Sequence, residues 1–334
     1  MKIIIPGGSG QIGALLSRAF HRDGHEVVLL SRRPAPRACA WRVVRWDGVS
    51  LEGAWTSEID GSDVVINLTG RSVNCRYTPA NRREILESRV RSTRVVGEAI
   101  ARANRSPGVW LQAGTATIYS HRFDAANDDI TGMLCGAEPD APDTWKFSID
   151  VARAWEEACA QAATPRTRKV ILRSAMTMSP DAGGVFDTLL GLVRCGLGGR
   201  AGDGRQFVSW IHDDDFVRAV RWLIDRQSIE GAVNLASPHP LPNASFMRVL
   251  RDASGISLGL PATRWMLEAG AIFMRTETEL VLKSRRVVPR RLLDDGFVFT
   301  HPHWADAARD LCERCQGSRS SSALPDSMSS GTEI

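Results

Sequence analysis

Three glycines spaced three residues apart, Gly7, Gly10 and Gly13, stand in the stretch IIIPGGSGQIG near the N-terminus. This G-x-x-G-x-x-G pattern suits a turn that cradles a pyrophosphate. Gly7 permits the tight turn, Gly10 lets a phosphate approach the backbone, and Gly13 lets the next helix lie close to the preceding strand. A helix beginning at Gln11 and Ile12 would offer unsatisfied N–H groups and a partial positive charge to the phosphates. The chemistry implied is dinucleotide binding.

The end of the second apolar run tells one nicotinamide dinucleotide from the other. An NAD site usually carries Asp or Glu there to hold the ribose 2′-hydroxyl. Here the run ends in Ser31, Arg32 and Arg33. Two guanidinium groups suit a 2′-phosphate, which they can grip bidentately. The preferred cofactor is therefore NADP(H), with NAD(H) the alternative. Asp47, after the third run, would sit at the adenine edge or serve as a turn residue.

These residues need a scaffold, and the chain supplies one. Apolar runs KIIIP, EVVLL, RVV, VVIN, VWLQA and KVILRS alternate with helical periods such as Gln11–Arg22, 79–103 and 147–163. Strand–helix alternation of this kind predicts α/β architecture: a Rossmann-type, doubly wound parallel sheet. Residues 1–178 form the dinucleotide-binding domain, and about 208–236 return to it. Residues 179–311 are expected to be mainly a smaller substrate or cap region, with helices at 185–194, 214–226 and 244–253. The Ser-rich stretch 317–334 reads as a disordered tail.

Composition narrows the class. At 43% hydrophobic and 24% charged, the 334 residues are ordinary globular material. A net charge of +4 with scattered arginines gives no nucleic-acid footprint. No apolar run reaches the ~20 residues of a membrane span; WMLEAGAIFM is broken by Glu268. Seven widely spaced cysteines and no secretory leader suggest reduced thiols in a cytoplasm. Cys312 and Cys315 form one C-x-x-C with no second pair, so no metal site is expected.

GGSGQIG, DVVINLTG, GTATIYS, VILRS and SWIHDDDFVRAV together resemble the extended short-chain dehydrogenase/reductase superfamily, on its nucleotide-sugar epimerase side. NLTGRSV, YTPANRREILESRVRST, WEEA, GDGRQFVSWIH and VVPRRLLDDGFVF are similar to an atypical branch called epimerase family proteins, over residues 1–311. The last of these pieces resembles a small C-terminal domain of unknown function, at about 255–311. The resemblance implies that Asn67, Leu68 and Gly70 pass near the cofactor ribose and nicotinamide, with Arg89 at the same sheet edge. It implies that Thr115 occupies the place of a substrate-polarising hydroxyl. It further implies that Arg205, Gln206, Trp210 and His212 lie in the piece surrounding the substrate, and that helices 79–103 and 147–163 form a homodimer bundle. Arg71 and Arg76, in the loop after the fourth strand, could bind an anionic small-molecule substrate.

In the superfamily a tyrosine, with a lysine four residues later on the same helix, transfers the proton. This chain has two tyrosines, Tyr77 and Tyr119, followed four residues later by Asn81 and Phe123. Aligning WEEA puts Ser148 and Ala152 in the two places, and a one-residue slip puts Phe147 and Val151 there. Lys146 or a water would then replace the missing cation or proton source, and Tyr119 lies near enough in sequence to reach the pocket. Three readings follow. The first is an NADP(H)-dependent oxidoreductase or epimerase-like isomerase with an unusual acid/base. The second is a non-catalytic NADP(H)-binding sensor, and the third is an assembly factor.

Overall fold

Ile3, Ile4 and Ile5 are each 0% exposed, as consecutive apolar residues must be in a strand covered on both faces. They form β1 (Lys2–Pro6) in the computed structural model, which describes residues 1–34, 39–135, 142–263, 266–267 and 279–322. On one side of β1 lie β2 (Glu26–Ser31) and then β3 (Arg42–Arg45). On the other lie β4 (Val64–Asn67), β5 (Val109–Thr115), β6 (Arg168–Ser174) and β10 (Gly231–Leu235). Every pairing in this sheet is parallel. Two short pairs accompany it: β7 (Met176–Met178) with β9 (Trp210–His212), and β8 (Phe207–Val208) with β11 (Leu241–Pro242). The chain builds outward from β1 to β3, then crosses back to place β4 beside β1. That reversal is the switch point where open α/β sheets bind ligands, outside the C-terminal ends of the strands.

Alternation along β1 sends Ile3 and Ile5 into one apolar layer and Ile4 into the other. The first layer is covered by α1 (Gln11–Arg22) and α6 (Asp213–Asp225), through Leu16, Phe20, Phe216, Val220 and Leu223. The second is covered by α2 (Trp55–Ile59), α3 (Pro79–Arg102) and α4 (Asp143–Ala160), through Trp55, Val96, Ile100 and Cys159. Thr78 caps α3 by accepting the Asn81 N–H (3.3 Å), with Pro79 in the first turn. Within residues 208–236 the chain supplies α6 and the edge strand β10.

A separate apolar cluster joins α5 (Val185–Arg194), α7 (Asn243–Ser254) and the last helix, α10 (Trp304–Ser322). Trp304 stacks on Phe246 at 4.1 Å and donates its Nε1–H to the Phe246 carbonyl (2.9 Å). Cys312 and Cys315 belong to this cluster, and burial pushes the Cys312 thiol up to about 11. The pair is core packing. Between the two regions run α8 (Glu279–Leu282) and α9 (Arg290–Asp294). Leu292, Phe297 and Phe299 from this C-terminal stretch enter the first sheet layer, so it packs on the sheet as well as on the cap. The expected tail boundary at 317 moves: α10 continues to Ser322, and residues 323–334 lie outside the described residues. WMLEAGAIFM also falls mostly outside them. Among the described residues no helix is long and apolar enough to cross a membrane.

Replacing Trp304 by alanine removes the ring that ties α10 to α7. The expected cost is about 3–5 kcal/mol, read as a lower urea midpoint with an unchanged slope.

Candidate functional site

Gly7 has φ +74°, and a Cβ there would lie 2.6 Å from Thr69 Cα. Only glycine fits this turn. A Cβ on Gly13 would collide with the Gly8 backbone, which shows how tightly α1 approaches the loop. Gly10 differs: nothing lies within 4 Å of where its Cβ would stand. Gly10 is the N-cap of α1, no side chain caps that end, and its first turn holds no acid. The N–H groups there meet open space with the positive end of the helix dipole. Thr69 Oγ1 is enclosed against this turn without a hydrogen-bond partner, and Gln11 Nε2, equally unpartnered, lies against Gly184. An orphaned buried polar group costs about 1–3 kcal/mol. A ribose hydroxyl would satisfy Thr69 Oγ1 and phosphate oxygens the free α1 N–H groups, so this turn fits a dinucleotide.

At the end of β2, Ser31 Oγ accepts the Arg33 N–H (3.0 Å). Arg32 and Arg33 are exposed, and neither guanidinium has a partner among the described residues. The β2–β3 register sets Ser31 opposite Arg45, a third exposed arginine at this corner. Sequence spacing could not find Arg45, because only strand pairing brings it beside Ser31. Asp47 is a turn residue. Its Oδ1 accepts the N–H groups of Val49 (2.8 Å) and Ser50 (3.0 Å), and its Oδ2 the Ser50 hydroxyl (2.7 Å). Burial pushes its carboxyl up, but these donors outweigh it and hold the group below its ordinary range.

Asn67 is fully buried, and its side chain is spent inside the protein. Nδ2 donates to Gln112 Oε1 (3.0 Å) and Oδ1 accepts the Thr69 N–H (3.1 Å). It shapes the turn, while the Leu68 N–H ties that turn to the Pro6 carbonyl (2.8 Å). Arg89 lies against Gly70, where a Cβ would stand 3.1 Å from the guanidinium carbon. Its NH1 donates to the Arg71 and Ile85 carbonyls, 3.0 Å each, and its head covers the Trp155 ring at 4.9 Å. Burial, with no carboxylate paired to it among the described residues, pushes Arg89 down to about 10.

Thr115, at the end of β5, accepts the Thr117 N–H (3.2 Å), which leaves its own O–H as a donor. The other two catalytic candidates are corrected. Tyr119 is 2% exposed; it donates to Asn234 Oδ1 (2.9 Å) and accepts Arg173 NH1 (2.9 Å), while burial pushes its phenol up. It is a core residue. Lys146 is exposed, and its side chain has no partner among the described residues. The buried lysine here is Lys283, 1% exposed, whose Nζ donates to the Thr117 carbonyl (2.8 Å).

Lys283 belongs to a polar cluster that no local motif announces. Glu279 and Lys283 lie four residues apart at α8, with Nζ 3.9 Å from Oε1. Arg285 Nε donates to Thr117 Oγ1 (3.3 Å), and its NH2 lies 4.0 Å from Glu279 Oε1. Burial pushes the Arg285 guanidinium down, with Glu279 opposing that effect. Ser148 donates to Glu279 Oε2 (2.5 Å), and Ala152 on the same helix is buried. The C-terminal stretch thus brings three ionisable groups to the α4 and β5 ends of the cleft.

The substrate candidates do not converge. Arg71 is ion-paired with Glu84. Arg76 is exposed, and Arg205 is exposed above the Phe123 ring at 5.8 Å. Gln206 is buried and donates to the Ala201 (2.9 Å) and Val281 (3.2 Å) carbonyls. Trp210 is 0% exposed in the second cluster, 5.0 Å from Trp304. His212 is also 0% exposed and caps α6. Its Nδ1 accepts the Asp214 N–H (3.1 Å), its Nε2 faces Asp310 Oδ2 (2.9 Å), and its ring stacks on His301 at 3.8 Å. His212, Asp214 and His301 bring their ligand atoms within 4.8 Å of one another, but both His212 nitrogens are already engaged.

Comparison with known proteins agrees with this geometry. Residues 3–236 match the NAD dependent epimerase/dehydratase family, and residues 262–311 match a domain of unknown function, DUF1731. Epimerase family protein SDR39U1 of Bos taurus is 29% identical over 316 residues, covering 93% of this chain and 99% of its own. The crystal structure of human SDR39U1 (isoform 2) with NADPH is similar with a TM-score of 0.81 and 27% identity, covering 94% of this chain and 99% of that one. A nucleoside-diphosphate sugar epimerase from Corynebacterium glutamicum shares the fold, with a TM-score of 0.72 and 24% identity, over 98% of this chain and 62% of that one.

Gly13→Ala forces a methyl group against the Gly8 backbone and is expected to cost about 1–3 kcal/mol, read as a lower urea midpoint. Burial holds His212 below its ordinary range. An unfolded histidine takes its proton near pH ~6.5, while folded His212 still refuses it. Stability should therefore fall as pH drops through that point, until the folded imidazole also protonates. Urea titrations between neutral and mildly acid pH should show this decline, and His212→Asn should flatten it.

Proposed function

We propose that this chain, which belongs to the NAD dependent epimerase/dehydratase family, binds NADP(H) and moves a hydride to or from a carbonyl–alcohol carbon, as an oxidoreductase or an epimerase-like isomerase. One observation carries the reading: the uncapped, acid-free N-terminus of α1 opens at Gly10 beside the positive-φ turn at Gly7, where Thr69 Oγ1 has no hydrogen-bond partner. The NADPH present in the human SDR39U1 structure supports the same cofactor here.

Each part of the cleft has a task. The α1 N–H groups and Gln11 hold the pyrophosphate. Arg32, Arg33 and Arg45, with no acid among Ser31, Arg32 and Arg33, select the 2′-phosphate. Thr69 takes a ribose hydroxyl, and Gly70 allows the backbone a close approach. When bound, the nicotinamide supplies or accepts the hydride. The Thr115 O–H polarises the substrate oxygen, and the cationic Lys283 and Arg285 bias that end of the cleft toward an oxygen gaining negative charge.

Calorimetric titration tests the reading. NADPH should bind more tightly than NADH, and the double variant Arg32→Ala/Arg33→Ala should lose about tenfold or more of that preference. Gly10→Val should fold like the parent, because its side chain meets open space, yet bind neither nucleotide. Equal binding of NADPH by Gly10→Val and the parent would sink the proposal.

A further inference from the structure

We propose that Tyr77 is the acid/base of this site, supplied from the loop before α3 in place of the tyrosine that α4 lacks. The inference rests on the NADP(H) reading above. The Tyr77 hydroxyl lies 3.4 Å from Ser148 Oγ, and Ser148 stands where the WEEA match puts the phenol in the superfamily. The Tyr77 ring is set edge-on against Phe147, with centroids 5.1 Å apart, and its carbonyl accepts Arg82 Nε (3.0 Å). A phenol from another element therefore reaches the same place.

Ser148 donates onward to Glu279 Oε2 (2.5 Å). Its one proton is committed there, which leaves the Ser148 oxygen able to accept from the Tyr77 hydroxyl. Tyr77, Ser148 and Glu279 thus line up their side-chain oxygens within hydrogen-bond reach. Exposure decides which end meets a substrate: Tyr77 is half-buried, whereas Glu279 is 1% exposed.

The charges around the phenol suit the role. Arg89 of α3 and Arg285 of the C-terminal stretch each interact electrostatically with Tyr77. Glu279 and Lys283 lie behind Ser148, and Arg82 holds the Tyr77 carbonyl. Two guanidinium groups in partly dry surroundings favour a phenolate, the task that a lysine performs when it follows the tyrosine on one helix. The step balances. The half-buried Tyr77 gives its phenolic proton to solvent. An alcohol O–H then gives its proton to the phenolate while the alcohol carbon gives a hydride to an oxidised nicotinamide, and a C=O bond replaces C–H and O–H. Reduction runs the same path backward.

The two tyrosines make the test direct. Subtracting the near-ultraviolet tyrosinate titration of full-length Tyr77→Phe from that of the parent isolates Tyr77. Tyr119→Phe, which leaves Tyr77 alone, gives the same midpoint independently should the first variant fold poorly. Tyr77 should ionise at least about one pH unit below an ordinary phenol. Saturating NADP⁺ should lower that midpoint further, and so should Glu279→Gln, by removing a negative neighbour. A merely structural phenol would not answer to NADP⁺. A Tyr77 midpoint at or above the ordinary value, unmoved while calorimetry shows NADP⁺ bound, overturns this inference alone. Failure of NADP⁺ to bind overturns the cofactor reading and this inference together.

Discussion

The contact between α1 and the loop that precedes it governs the rest of the molecule. Helix α1 can dock where it does only because residue 13 has no side chain to strike the Gly8 backbone. Close docking buries Leu16 and Phe20 in the sheet layer and holds the helix N-terminus over the end of β1. Gly7 completes the arrangement from the other side, turning at positive φ directly against Thr69 of the neighbouring strand end. One steric condition thus joins core packing to anion recognition. The N–H groups of α1 are aimed by the same contact that stabilises the first layer.

The other end of the cleft depends on a different part of the chain. Glu279, Lys283 and Arg285 lie far from the sheet strands in sequence, yet they meet Ser148 and Thr117 in space. The backbone beyond them is stitched down. The Arg285 N–H donates to the Phe207 carbonyl (2.8 Å), the Val287 N–H to Ser209 Oγ (2.8 Å), and the Val288 N–H to the Asn127 carbonyl (3.0 Å). Three regions, at 127, 207–209 and 285–288, are therefore locked together beside the β5 end. Buried charges of this kind cost desolvation and hold their places only when surrounding bonds fix them. The C-terminal domain is in this sense a wall of the cleft.

Much of the first half was legible from sequence because local patterns carried it. Uninterrupted apolar runs gave the buried parallel strands, and the glycine spacing gave the loop, since both express short-range sterics. The place of Arg32 and Arg33 just after β2 was readable for the same reason, being fixed by the end of the apolar run. The failures share one cause. Tyr119 and Trp210 look like pocket residues in sequence, but long-range partners, Asn234 and Arg173 for one and the Trp304 layer for the other, take them into the core. Lys146 stood near the lost tyrosine along the chain, yet the buried cation came from position 283. Arg45 and Glu279 carry no local signal, because only strand register and tertiary packing place them.

Hydrogen exchange with and without NADPH tests the central claim most directly. The account predicts slower exchange at the backbone of residues 7–13, 31–33 and 67–70 when NADPH is present, with weaker protection at 31–33 when NADH replaces it. Protection confined to other parts of the chain, or no change at residues 7–13 at a saturating concentration of NADPH, would contradict it.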